Sequence, residues 1–261
     1  MWIKKTCIVL AGTLIPSLVT TSLVQAEDVK GSLSILYSPH TTHISAPGYL
    51  SSLGQLGIDH ENKGNGYYGF QGEVNYGKYL ISVDYLSGTS NDIPGASDYS
   101  QPRSTTFNPL THETSESLDL CVGYTVLEGG TVGKVTPTLG YFRMWANPTT
   151  SAPNWYDGLE VGVKGRYKAY DRLTLTYKFG YVPHTTVHGY MIDGLPGYVQ
   201  GPLMEGKYLR NYMIGAEVLL SKDISVIGGY QGIRAVNKVV FDGSQAIIKF
   251  SGYYVGGSYN F

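Results

Sequence analysis

Apolar and polar residues alternate with a period of two through most of the chain after about residue 30, which is the signature of β-strands with two different faces. The first such stretch, about Lys30 to Tyr37, sets Leu33, Ile35 and Tyr37 against Ser32, Ser34 and Leu36. The second, about Tyr67 to Tyr76, sets Tyr68, Phe70, Val74 and Tyr76 against Tyr67, Gln71, Glu73 and Asn75. Gly77-Lys78 forms a tight hairpin into a third strand with Tyr79, Ile81, Val83 and Tyr85 on one side and Ser82 and Asp84 on the other. Five more follow: Ser117 to Val126, about Lys134 to Trp145, Leu159 to Lys168, Leu173 to Tyr181, and Asn211 to Val218. From Ile224 to the end the pattern reads as one long hairpin turned at Asp242-Gly243, a strong type I′ signal.

The connections alternate long and short. Polar segments such as Ser38 to Gly66, Gly88 to Glu116, Ala146 to Asp157 and Pro183 to Gly206 separate strands joined on the other side by tight turns. Both termini then lie at one end, so the strand number is even. The count is ten, with eight or twelve if a hairpin is split or missed.

The last strand, Ser251 to Phe261, has Tyr253, Val255, Gly257, Tyr259 and Phe261 on one face and Gly252, Tyr254, Gly256, Ser258 and Asn260 on the other. A chain that stops on an aromatic at the end of such a strand resembles the closing strand of bacterial outer-membrane β-barrels. The resemblance implies an all-β, antiparallel, up-and-down transmembrane barrel with short periplasmic turns and long outer loops. It also implies partners: outer-membrane lipid and lipopolysaccharide around the wall, the barrel assembly machinery at the C-terminal strand, and an extracellular ligand at the loops.

Composition agrees with this class. The chain has 23 Tyr, 34 Gly and only 15% charged residues, as expected where every second strand residue meets lipid. Residues 1–26 read as an export signal: Lys4 and Lys5, an apolar run from Cys7 to about Val19, and Val24-Gln25-Ala26 before Glu27. That leaves residues 27–261 as one barrel domain with the single Cys121, which excludes an intrachain disulfide. A formal net charge of −1 argues against nucleic acid as a partner.

The ionisable residues gather in the inward register. Glu73, Asp84, Asp119, Glu160 and Glu217 are acidic, and Lys164, Arg166, Lys168 and Lys178 are basic. Buried charges must be paired or hydrated, so these nine predict either a salt-bridged polar core filling a small barrel or a narrow porin-like lumen with a transverse field. The outward aromatics read as girdles at the two headgroup levels: Tyr76, Tyr79, Tyr170 and Phe261 at the periplasmic rim, and Tyr37, Tyr68, Tyr85, Tyr181 and Tyr212 at the outer one. Arg143, Arg234 and Lys249 fall in the outward register near the outer strand ends.

A ten-stranded barrel rising above the membrane also resembles the omptin surface proteases, which use an acidic pair and a His-Asp pair facing each other across the outer mouth. This sequence departs from that pattern. It has no Asp-x-Asp or Asp-x-His at an outer strand end, and Asp59-His60-Glu61 is expected in a loop. His112, His184 and His188 are likewise expected as exposed loop residues, and no metal, cofactor or nucleotide motif is present. The expectation is a non-enzymatic barrel with adhesin-like loops.

Overall fold

The computed structural model describes residues 29–46, 58–90, 113–129, 133–147, 154–188, 204–239, 243 and 245–261. Residues 1–26, expected to be an export signal, therefore lie outside the described residues, as do His112 and Asp242. Twelve strands follow in chain order: β1 (Val29–Ala46), β2 (Ile58–Tyr76), β3 (Tyr79–Ser90), β4 (Glu113–Tyr124), β5 (Leu127–Gly129), β6 (Gly133–Asn147), β7 (Asn154–Tyr170), β8 (Leu173–Val182), β9 (Thr186–His188), β10 (Met204–Leu219), β11 (Ile224–Val239) and β12 (Gln245–Asn260).

Ten of them close into an antiparallel barrel in the order β6-β4-β3-β2-β1-β12-β11-β10-β8-β7, and a β6–β7 pairing completes the ring. The two short strands are additions. β5 continues β4 past a kink and pairs with the start of β6, and β9 pairs with the start of β7. Gly77 and Gly243 take positive φ, 55° and 72°, the left-handed conformation that a primed hairpin turn demands.

Closure rests on the chain ends. Phe261 and Gly31 exchange two backbone hydrogen bonds of 2.8 and 3.0 Å, and the Phe261 ring occupies the space a Cβ on Gly31 would need. The terminal aromatic is thus a lid over a glycine on the strand it must find. β12 is paired along its length with β1 on one side and β11 on the other.

The outside of the barrel is apolar where a water-soluble fold would be polar. Ile35 is 71% exposed while its neighbour Leu36 is 1% exposed, and the same contrast holds along Leu33, Ile81, Leu159, Tyr253 and Tyr259. Only a lipid-facing wall favours this arrangement. The end with the termini and tight turns is, in barrels of this class, the periplasmic one.

The segment Ser38 to Gly66 is largely strand rather than loop. β1 runs on to Ala46 and β2 begins at Ile58, so His40 and His43 lie on β1 and Asp59-His60-Glu61 on β2. The outward positions Pro39, Thr41 and His43 are polar or unsuited to lipid, which hid the strand from a lipid-barrel pattern. Main-chain pairing to β12 nevertheless continues through Ser45↔Ile247. β2 absorbs a register shift between Pro39 and Thr41, where proline has no N–H to give a ladder.

Candidate functional site

The interior is organised in levels along the barrel axis. Nearest the periplasmic end, Arg166 pairs with Glu217 at 2.9 Å. The other Glu217 oxygen accepts bonds from Ser225 Oγ at 2.6 Å and Asn260 Nδ2 at 3.2 Å. Across the lumen, Asn75 donates to Glu73 at 3.0 Å and accepts from Lys134. These groups ring the mouth of a cavity of about 100 Å³, with room for several waters at about 10–15 Å³ each.

Above it sits the tightest cluster. The Lys178 ammonium contacts both Asp84 and Asp119. Lys164 lies 3.6 Å from Asp84 and donates to Ser82 Oγ at 2.7 Å, and Ser82 meets Cys121 Sγ at 2.9 Å. Asn211 donates to Asp119 at 3.0 Å and to Glu160 at 2.6 Å. Each carboxylate taken from water needs such partners to offset its desolvation, and a connected network confines all of them to one arrangement. Gln71 reaches across to Met213 Sδ at 3.1 Å and separates the lower cavity from an upper one of about 50 Å³.

The outer third of the lumen is apolar. Phe142, Met144, Tyr156, Val182, Leu209, Ala235, Ile248 and Phe250 form one buried cluster from six strands, with Val187 and Ile233 against it. Below it, Tyr254 lies over Gly215 and Gly229, whose missing side chains make room for its ring and hydroxyl. His40 is buried beside this layer, Nδ1 3.3 Å from the Ser38 carbonyl and its ring edge-on to Tyr67 at 4.7 Å.

Eight of the nine inward charges named from the sequence line the lumen, and seven of them fall into two groups: Asp84, Asp119, Glu160, Lys164 and Lys178 in the middle, Arg166 and Glu217 below, with Glu73 opposite them. Lys168 departs from the prediction. It sits where β7 slips register before the Tyr170 turn, its side chain is 66% exposed, and it pairs with Asp171 at 3.3 Å. Tyr37, Tyr68, Tyr76, Tyr79, Tyr170, Tyr181 and Phe261 all point outward and are exposed, and Tyr85 and Tyr212 are half-buried.

His188 is no loose loop residue. It stacks on Trp155 at 4.6 Å and lies 3.5 Å from Asp157, while His184 is exposed. Asp157 also receives Arg143 at 2.9 Å and Tyr141 OH at 2.9 Å on the outer wall. Among the described residues no group of three or more His, Cys, Asp or Glu side chains is placed to hold a metal ion.

Fold, lipid-facing wall and polar interior define the class: the chain is an outer-membrane-type β-barrel of ten strands. Among solved structures it is similar to the outer membrane protease OmpT from Escherichia coli, at 13% identity and a TM-score of 0.56 over 93% of this chain and 100% of that one. It is also similar to the translocator domain of the autotransporter NalP from Neisseria meningitidis (14% identity, TM-score 0.43, 99% of this chain and 98% of that one). A third likeness is to Ail, the attachment invasion locus protein of Yersinia pestis (8% identity, TM-score 0.31, 90% of this chain and 99% of that one). At these identities the likeness is one of fold. No protein-family profile matches the chain, and no curated protein matches it.

Proposed function

We propose that this chain is an integral protein of the bacterial outer membrane, exported by its first 26 residues, that catalyses no reaction and binds an external ligand through its outer segments. The observation that carries this reading is the filled lumen: a paired charge layer under a packed apolar one. The lumen carboxylates are engaged by lysine, asparagine and serine, which leaves no free acid pair in the lumen among the described residues. The barrel serves as a platform, and the long strands β11 and β12, 16 residues each, raise its rim beyond the roughly 25 Å apolar band. Surrounding lipid and the barrel assembly machinery, acting on the Phe261 strand, complete the proposed set of partners.

The test uses the largest outer segment. Ser90 and Glu113 are directly paired, so residues 91–112 can be replaced by an Asn-Gly turn without disturbing β3 or β4. The shortened barrel should still fold, seen as heat-modifiable mobility on gels, while attachment of expressing cells to a panel of immobilised cell-surface ligands falls at least tenfold. Undiminished attachment would remove this segment from the binding surface, and no attachment by the intact protein would remove the binding reading.

A further inference from the structure

Three cations stand side by side on the outer wall. Arg210 of β10 is directly opposite Arg234 of β11, and Arg234 is directly opposite Lys249 of β12. Directly opposed residues on one face of a sheet have Cβ atoms about 4.5–5.5 Å apart, and like charges placed so repel. The alternation around them puts all three outward: Leu209, Asn211, Ala235, Ile248 and Phe250 are their buried neighbours. None of the three makes an ion pair with a carboxylate among the described residues. The row ends at His43, opposite Lys249, which in turn faces Glu61.

The height of the row identifies what neutralises it. Immediately below are Tyr212, Tyr230 and Tyr253, linked ring to ring at 6.2 and 5.2 Å. Amphipathic rings of this kind sit at headgroup level. The cations lie two residues farther out than Tyr212 and Gly232, about 7 Å along the strand, where the phosphates of the outer leaflet are found. Arg210 is held in place there between Tyr181 and Tyr208, with ring distances of 5.9 and 5.0 Å.

We infer that Arg210, Arg234 and Lys249 form a binding site for the phosphate groups of a phosphorylated outer-leaflet glycolipid. A guanidinium pair and an ammonium suit phosphate oxygens, and an anion placed on the row removes the repulsion the fold otherwise carries. The inference rests on the outer-membrane placement proposed above. A barrel that enters no bilayer would fail that reading, whereas one that enters without lipid preference fails only this one.

The test compares the refolded full-length protein with R210Q/R234Q/K249Q in phosphatidylcholine vesicles carrying either diphosphorylated lipid A or the same lipid stripped of both phosphates. Wild type should bind the phosphorylated form at least tenfold more tightly. The triple variant should bind both forms alike, at the level wild type shows for the stripped lipid. Lys238→Gln, on the same strand but paired with Glu205, should behave as wild type. In detergent without lipid the triple variant should melt no lower than wild type, because the repulsion is gone; if it does not refold, the three single variants are measured, each with at least a threefold loss expected. A lipid preference kept by the variants, or absent from wild type, overturns the site. Competition by inorganic phosphate at equal concentration would overturn the lipid assignment.

Discussion

Lys178→Met should lower the unfolding free energy of the refolded barrel by about 3–5 kcal/mol, the range for removing one partner of a buried ion pair. Lys178 is the cation shared by Asp84 and Asp119, and Glu160 is tied to the same cluster through Asn211. Without it, among the described residues Lys164 at 3.6 Å is the only ion-pair partner of Asp84, and Asp119 keeps only the Asn211 amide. The measurement is a urea midpoint in detergent, read by loss of heat-modifiable mobility. Adding Asp119→Asn to Lys178→Met should restore most of the loss, because Asp84 still pairs with Lys164 and the carboxylate left without a cation becomes neutral. A single variant as stable as wild type would mean the cluster is hydrated rather than packed, and the sealed-lumen account would lose its middle layer.

Phe142→Ala should cost about as much, about 3–5 kcal/mol, by a different mechanism. Its ring is 3% exposed and packs in the outer apolar layer. Truncating a large side chain in a close-packed interior loses the transfer free energy and leaves a cavity that the neighbours only partly fill. Leu139, three residues earlier on β6, faces the lipid. Leu139→Ala should cost less than half as much, because lipid chains close over the gap. Equal losses at the two positions would show that the outer lumen is not packed.

The barrel was legible because lipid imposes a strict rule. Where a strand crosses the apolar band, Leu33, Ile35 and Tyr37, or Leu175, Phe179 and Tyr181, must face out, and a period of two then reveals strand, face and register together. The inward charges follow from the same parity, which puts Asp84, Asp119, Lys164 and Lys178 in the lumen. Lys168 was misplaced because parity says nothing about where a register slip carries a residue into the turn.

Above the apolar band the rule reverses: the outward cations Arg143, Arg234 and Lys249 are legible there, but the extent of β1 and β2 is not. Outward positions become Arg143, Asp157, Arg210, Arg234 and Lys249, while inward ones become Phe142, Met144, Tyr156, Leu209 and Ile248. The inversion from apolar-out to apolar-in is written in the chain: Tyr212 and Tyr253 give way to Arg210 and Lys249 within two to four residues. Read as the boundary of the bilayer, it would have predicted the apolar layer. It would also have kept Pro39 to Ala46 and Ile58 to Gly66 in strands, since a strand above the membrane behaves as in a soluble barrel. The side-chain bonds across the lumen, Gln71 to Met213 or Asn211 to Glu160, depend on barrel diameter and strand stagger, which no single strand encodes.

The central claim is that paired charges and a packed apolar layer close this barrel. Single-channel recording in planar bilayers tests it most directly. The account predicts insertion without conductance, and silence that persists in Lys164→Glu. Reproducible discrete current steps from the wild-type protein, altered in size or ion selectivity by Lys164→Glu, would contradict it and make the lumen a pore.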